Sequence, residues 1–169
     1  MRLFIASPVI LDDYTQIRKD FESIVEGRWV TEQNLHLTWI FLGETKDSEP
    51  IIKKLQTLRP LSDRVDIAAL GYFGRPPRIL YARADSSLLY DKAKEFREAD
   101  FDLYRFKPHI TLCRIKSIRN YRAYKERILH YRETALGTIL PEIALYRSTL
   151  SSEGSDYTKL CSIEIIENQ

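Results

Sequence analysis

The sequence predicts an α+β fold of two related halves, with a functional site in the cleft between them. Two of the three histidines begin the same pattern, His36-Leu37-Thr38-Trp39 and His109-Ile110-Thr111-Leu112. Each copy lies in an apolar run rich in β-branched and aromatic residues, as strands are, and helical patterns precede and follow both. The second histidine follows the first by 73 positions, and no Pro/Gly/Ser-rich linker separates them. We therefore expect an internal duplication within one domain, residues 1–169.

The first half begins with a strand that we expect to stop at Pro8, because proline cannot donate to a ladder. Asp12 and Asp13 then precede a helical apolar stripe, for which Gly27 is the expected stop. The first histidine strand runs to Gly43. In chain order the predicted elements are a strand at 2–7, a helix at 14–25, a strand at 36–42 and a helix at 48–58.

Two segments of the second half have the composition of turns or loops. A turn is expected at Gly74-Arg75-Pro76-Pro77, and a hairpin loop at Ser151–Asp156. Ser86 or Ser87 has the composition of a helix start. The predicted elements are strands at 65–73, 79–84, 106–115, 142–150 and 157–166, with helices at 86–99 and 120–131.

The spacing inside each repeated motif indicates an anion site. Residues two apart on a strand share a face about 6.5 Å apart, so His36 and Thr38 form one polar pair and His109 and Thr111 another. Two such pairs across a cleft would place an acid and a base on opposite sides of a phosphate, as in-line displacement requires. For one copy we would favour packing in the core; the repetition favours a site. His130 has no threonine two residues later and is expected at a helix end or on the surface.

Composition limits the function classes. A net charge of +2 does not by itself indicate a nucleic-acid binder, and two cysteines are too few for a disulfide framework. No secretory segment or membrane-length apolar run is present, so we expect a cytoplasmic protein without a membrane partner. The histidines do not stand at metal-ligand spacing, and no cofactor motif is visible. We expect a monomer that needs neither metal nor cofactor.

These motifs resemble the two-histidine phosphoesterase superfamily, and within it the RNA 2′,3′-cyclic phosphodiesterases, also called 2′-5′ RNA ligases. The resemblance covers nearly the whole chain, and the paired motifs are its specific part. The similar segments are Met1–Ala6, Trp29-Val30, Leu35–Gly43, Pro77–Tyr81, Phe106–Arg114 and Leu150–Leu160. Trp39 departs from the smaller aliphatic residue usual there and is expected to point away from the cleft.

The resemblance implies two antiparallel sheets lining a central cleft, with helices outside. It also implies metal-free opening of a 2′,3′-cyclic phosphate on RNA to a 2′-phosphate, with ATP-independent 2′-5′ joining as the related reaction. His36 matches the general acid, His109 the base, and Thr38 and Thr111 the hydroxyls that hold the phosphate. Arg114 matches a basic phosphate contact, although an ideal strand would place it on the face opposite His109.

Three alternatives remain open at this point. The enzyme could act on another cyclic phosphate or a 2′-5′ oligonucleotide, the chain could bind RNA ends without catalysis, or the histidine motifs could be structural. Phe41 should pack in the core unless a bulge intervenes. Arg75 and Arg78 could reach a phosphate, and Tyr157 could close the cleft or anchor the last hairpin. A group of basic residues in and beside the predicted helix at 120–131 is interpreted as a solvated face; its members are Arg119, Arg122, Lys125, Arg127 and Arg132.

Overall fold

The computed structural model describes residues 1–165, which form ten strands, four α-helices and one short 3-10 helix. The strands are β1 (Arg2–Leu11), β2 (Val25–Trp29), β3 (His36–Glu44), β4 (Val65–Ala68), β5 (Leu70–Phe73), β6 (Ile79–Arg83), β7 (His109–Ile118), β8 (Ala135–Ile139), β9 (Ile143–Ser151) and β10 (Gly154–Ile163). The helices are α1 (Tyr14–Glu22), α2 (Glu49–Leu55), α3 (Ser87–Glu98) and α4 (Tyr121–His130), and the 3-10 helix is Glu32–Asn34. None of the helices in this described range is long and apolar enough to span a membrane.

The strands form two antiparallel sheets, which confirms the predicted fold class. The six-stranded sheet has the order β10-β9-β1-β8-β4, with β3 also paired to β1; the four-stranded sheet has the order β2-β7-β6-β5. The first histidine motif therefore lies in the larger sheet, on β3, and the second in the smaller sheet, on β7. Contacts between β3 and β7 bring the two sheets together at the histidine strands.

The first strand is longer than predicted and organises the larger sheet. The expectation that it ends at Pro8 was wrong, because β1 continues to Leu11 and pairs there with β8. Pro8 fits because its carbonyl accepts a hydrogen bond from the amide of Leu140 at 2.9 Å, while its nitrogen has no proton to leave unpaired. Strand β8 itself was missing from the prediction.

Gly27 does not stop a helix. Helix α1 ends at Glu22, and Gly27 lies in β2, paired with Ile115 on β7. A Cβ atom at position 27 would be 2.4 Å from the carbonyl oxygen of Arg114. The glycine is therefore needed for the close approach of two strands, one of which carries the second histidine.

The other boundaries differ modestly from the predictions. The predicted strand at 65–73 is divided into β4 and β5 at Ala69, which has a φ of 70°. Ser86 and Asn120 cap α3 and α4 through their side chains, close to the predicted helix starts. The last hairpin turns tightly, with β10 beginning at Gly154; the predicted strand end at Ile166 lies outside the described residues.

Trp39 packs into the core behind the first histidine motif. Its ring stacks on Phe106 at a centroid distance of 5.1 Å and contacts Phe96 at 5.4 Å. Its indole Nε1–H donates to the hydroxyl of Ser7 at 2.8 Å, so the buried polar groups are satisfied. Trp39 is only 2% exposed, so its side chain is buried as expected, although the residue also contributes to the wall of the cavity described below.

Replacement of Gly27 by alanine should destabilise the fold by about 1–3 kcal/mol, because the added methyl group cannot be accommodated without separating β2 from β7. Denaturant unfolding of the wild type and of G27A measures the change. Arg28→Ala, at the exposed position after Gly27 on the same strand, is the control and should change the free energy of unfolding by less than about 0.5 kcal/mol. Equal stabilities of G27A and the wild type would contradict the close-approach argument.

Candidate active site

His36 is held at the start of β3 by its backbone and by two aromatic rings. Its Nδ1 lies 2.6 Å from the carbonyl oxygen of Asn34. The imidazole contacts Phe4 at a centroid distance of 5.2 Å and meets Tyr157 edge-on at 5.4 Å. Tyr157, which sequence reasoning left open between two roles, therefore lies directly beside the first histidine.

His109 has a matching environment at the start of β7. Its Nδ1 lies 2.7 Å from the carbonyl oxygen of Lys107, again two residues before the histidine. Two aromatic rings again contact the imidazole, those of Phe73 at 5.0 Å and Tyr81 at 5.6 Å. Both histidines thus meet the same arrangement of one backbone carbonyl and two rings, supplied by different sheets.

The backbone carbonyls determine which ring nitrogen is available for chemistry. A carbonyl oxygen only accepts, so the Nδ1 atom of each histidine must carry the proton. The Nε2 atom then either accepts a proton in the neutral imidazole or donates one in the imidazolium. Each histidine is therefore oriented to act as a base or an acid through Nε2.

A β-bulge in β7 places Arg114 on the histidine face. Thr111 pairs with Tyr81 and Cys113 with Leu80, so Leu112 has no partner on β6. This extra residue reverses the alternation: His109 and Thr111 are half-buried, Leu112 and Cys113 are both buried, and Arg114 is exposed. The ideal-strand expectation that Arg114 faces away from His109 is thus overridden by the bulge.

The same bulge occurs at the equivalent position of β3. Thr38 pairs with Ala6 and Ile40 with Ile5, so Trp39 is the unpaired residue. The order of half-buried, buried and exposed residues from His36 to Phe41 matches that from His109 to Arg114. Phe41 is consequently 71% exposed, and the core packing expected in the absence of a bulge does not occur.

A cavity of about 450 Å³ joins the two motifs. Its wall includes Thr38 from one motif and His109 from the other. The remaining lining comes from β3, with Trp39, Ile40 and Phe41, and from the loop before β7, which contributes Asp102, Leu103, Tyr104, Arg105, Phe106 and Lys107. Tyr104 is 76% exposed, and nothing in the sequence pattern distinguished it from an ordinary loop residue.

The electrostatics connect the two sides of the cleft. Burial lowers the pKa of His36, and the positive charges of His109 and Arg114 lower it further, against the opposing effect of the Asn34 carbonyl. Burial raises the pKa of Tyr157, while Arg114 acts in the opposite direction. The second motif therefore exerts its charge on the first histidine and on the ring beside it.

The predicted site residues lie on two strands, one in each sheet. His36 and Thr38 share one face of β3, while His109, Thr111 and Arg114 share one face of β7. His130 is exposed at the end of α4, which confirms its interpretation as a helix-end residue. Among residues 1–165, no group of three or more His, Cys, Asp or Glu side chains is arranged to hold a metal ion.

Sequence comparison decides the family. The RNA 2′,3′-cyclic phosphodiesterase of Aquifex aeolicus (strain VF5) is 32% identical over 171 residues, covering 92% of this chain and 90% of that protein. The chain belongs to the LigT-like phosphoesterase family. The RNA 2′,3′-cyclic phosphodiesterase of Methanocaldococcus jannaschii is 30% identical, covering 93% of this chain and 96% of that protein. The family model described as LigT like Phosphoesterase matches residues 5–81, which include the first histidine motif.

Solved structures show the same LigT-like fold. A Thermus thermophilus protein has a TM-score of 0.73 at 24% identity, covering 96% of this chain and 97% of that chain. E. coli LigT complexed with 3′-AMP has a TM-score of 0.71 at 24% identity, covering 98% of each chain. The LigT-like fold therefore extends over both histidine motifs.

In the free protein, His36 should titrate below its ordinary value of 6.5, because burial and the facing positive charges favour the neutral imidazole. Binding of 2′-AMP should raise the pKa of His36, since a phosphate dianion stabilises an imidazolium beside it. Proton NMR titration of the imidazole resonances measures both values, and His36→Gln assigns them.

The lowered pKa of His36 makes the stability of the fold depend on pH. Since the pKa of His36 is lowered on folding, its contribution to stability is complete above pH 6.5 and is lost as the pH falls through the folded value. A His36 titration that does not move upward when 2′-AMP binds would contradict the assignment of this residue as the acid.

Proposed function

We propose that this LigT-like phosphoesterase hydrolyses the terminal 2′,3′-cyclic phosphate of RNA to a 2′-phosphate, using His36 as acid and His109 as base. The supporting observation is the matched pair of histidines: each is fixed through Nδ1 to a backbone carbonyl, and each heads a strand of a different sheet at one cleft. The curated relatives with this activity in their names align over nearly the whole chain.

The proposed reaction uses one proton transfer on each side of the phosphorus. Neutral His109 accepts a proton from water at Nε2 as the water oxygen forms a bond to phosphorus. The bond from phosphorus to the ribose O3′ breaks, and protonated His36 donates its Nε2 proton to that oxygen. The product has a 3′-hydroxyl and a 2′-phosphate, and the two histidines have exchanged protonation states.

The remaining motif residues would stabilise charge on the phosphate. Thr38 and Thr111 lie two residues after the histidines on the same faces, so their hydroxyls are placed to donate to the non-bridging oxygens. Arg114 supplies a guanidinium on the His109 face. A bound phosphate would also reverse the effect of burial on His36 and favour the imidazolium that the acid role needs.

The exposed rings beside the motifs suit a nucleotide. Phe41 and Tyr104 both line the cavity that contains Thr38 and His109, and aromatic faces stack on bases with little sequence preference. If a ribose 5′-hydroxyl replaced water as the nucleophile, the same groups would form a 2′-5′ linkage without ATP. All of these groups come from one chain, so we propose that a monomer is sufficient for activity. The cytoplasmic location expected from the sequence remains part of the proposal.

His36→Ala and His109→Ala should each reduce kcat on an RNA with a 2′,3′-cyclic phosphate by about 10²–10⁴-fold, because each removes one proton transfer. The assay, run in excess EDTA, should separate 2′-phosphate from 3′-phosphate products. His130→Ala is the matched control and should retain wild-type kcat. A single histidine variant with near-wild-type turnover would exclude the two-histidine mechanism, and exclusive turnover of a different cyclic phosphate would assign another substrate.

Thr38→Val, Thr111→Val and Arg114→Met should lower kcat/KM while leaving the melting temperature within a few degrees of wild type. Valine keeps the β-branched shape that suits a strand and removes the hydroxyl donor, whose loss can cost on the order of 10²-fold. Thr158→Val, at an exposed strand position on β10, is the control for the substitution itself. Threonine variants that lose stability but keep kcat/KM would identify these residues as packing residues.

A further inference from the structure

A second cavity, of about 370 Å³, lies between the β5–β6 turn and the start of α4. It is lined by Tyr72, Arg75, Pro76, Tyr121 and Lys125. The turn and the basic helix are far apart in the sequence. The helix face was interpreted as solvated, whereas Arg75 in the turn was left as a residue that could reach a phosphate. The fold brings one cation from each segment to the same cavity, together with two tyrosine rings.

This cavity is on the other side of the smaller sheet from the histidines. Successive residues of a strand point to opposite faces. On β5, the ring of Phe73 contacts His109, whereas the ring of Tyr72 lies 5.7 Å from that of Tyr124 on α4. A terminal nucleotide bound at the histidines therefore cannot also fill this cavity. Only a longer chain that passes around the β5–β6 turn can reach both places.

The lining has the chemistry of a nucleic-acid site. It contains two cations and no carboxylate, and neither Arg75 nor Lys125 forms an ion pair within residues 1–165. The ammonium of Lys125 lies 4.9 Å from the centre of the Tyr121 ring, so a positive charge and an aromatic face are adjacent. This combination suits a phosphate together with its ribose or base.

Neighbouring cations on α4 are engaged differently, which singles out Lys125. Arg122 pairs with Glu126 at 3.4 Å, and Arg127 donates to the backbone carbonyl of Asp20. The first turn of α4 contains no acidic residue, and the amino end of a helix attracts anions. The electrostatics of the cavity therefore favour an anion from three directions: Arg75, Lys125 and the helix end.

We propose that this cavity is a second RNA subsite, which binds the phosphate backbone upstream of the nucleotide whose cyclic phosphate lies at the histidines. The assignment rests on the proposed function, since it requires RNA in the cleft. Phe73 and Arg75 are two residues apart, at most about 7 Å along the backbone. An RNA strand that follows this turn would therefore place a phosphate upstream of the terminal nucleotide in the cavity.

The subsite predicts that affinity depends on the length of the substrate. The test compares 2′,3′-cyclic AMP with a six-nucleotide RNA that ends in a 2′,3′-cyclic phosphate. The double variant R75A/K125A should raise KM for the six-nucleotide RNA by about 10-fold and leave its kcat unchanged. Both KM and kcat for 2′,3′-cyclic AMP should stay unchanged. The slope of log KM against log salt for the RNA should fall by about 1.4, the value for two phosphate contacts on a single strand.

Matched variants distinguish a subsite from a general charge effect. Arg122→Ala removes one cation from the same helix and should leave KM for the RNA within about twofold of wild type, because Arg122 is already paired with Glu126. The charge-preserving variant R75K/K125R should retain most of the RNA affinity, because it keeps both positive charges. An unchanged KM for the RNA in R75A/K125A would overturn the proposal, and so would an equal rise in KM for 2′,3′-cyclic AMP.

A binding measurement separates this proposal from the catalytic one. Fluorescence anisotropy of a six-nucleotide RNA that already ends in a 2′-phosphate requires no turnover. Wild type should bind it about 10-fold more tightly than R75A/K125A. If wild-type protein hydrolyses neither substrate, the proposed function fails while the anisotropy still tests the subsite. If it hydrolyses both but binds the long RNA no more tightly than the double variant does, the subsite is wrong and the proposed function stands.

Discussion

The cleft depends on two β-bulges, one in each histidine strand and each three residues after the histidine. Without the extra residue at Trp39 or Leu112, alternation would place Phe41 and Arg114 in the core. The bulge in β7 is anchored because the amide of Val30 donates to the carbonyl of Leu112 at 2.8 Å. The bulge is therefore part of the hydrogen-bonded structure. It gives each strand three cleft-facing side chains: the histidine, the threonine two residues later, and the residue five positions after the histidine.

The two halves differ at the position five residues after the histidine. Each histidine has as its partner the backbone carbonyl two residues before it, and each is flanked by one phenylalanine and one tyrosine ring. This equivalence leads us to propose that residues 1–169 form one domain of two related lobes. Phe41 offers an apolar ring at this position, and Arg114 offers a cation. A symmetric framework thus presents an asymmetric surface, which suits a substrate with a base on one side and a phosphate in the middle.

Sequence reasoning located the histidine strands and the α+β class from local signals: strand composition, the His-x-Thr spacing and a helix start at Ser86. The expectation of two antiparallel sheets came from the family resemblance. Sequence reasoning failed where tertiary pairing overrides local signals. Gly27 has the composition of a helix stop but serves a close approach between strands, and neither bulge contains a glycine to mark it. The cavity shared by Arg75 and Lys125 depends on long-range topology, which no single segment encodes.

The backbone carbonyls behind both histidines have a consequence for the direction of the reaction. Within residues 1–165, neither imidazole has a carboxylate partner on Nδ1 that would stabilise its charged form permanently. In the proposed reaction, one turnover leaves His36 neutral and His109 protonated, and that is the state required to run the same displacement backwards. Until the histidines exchange protons with solvent, an enzyme molecule that has just opened a 2′,3′-cyclic phosphate has the protonation state that closes one. The relative speeds of proton exchange and product departure would then decide how often an opened ring closes again before the product leaves.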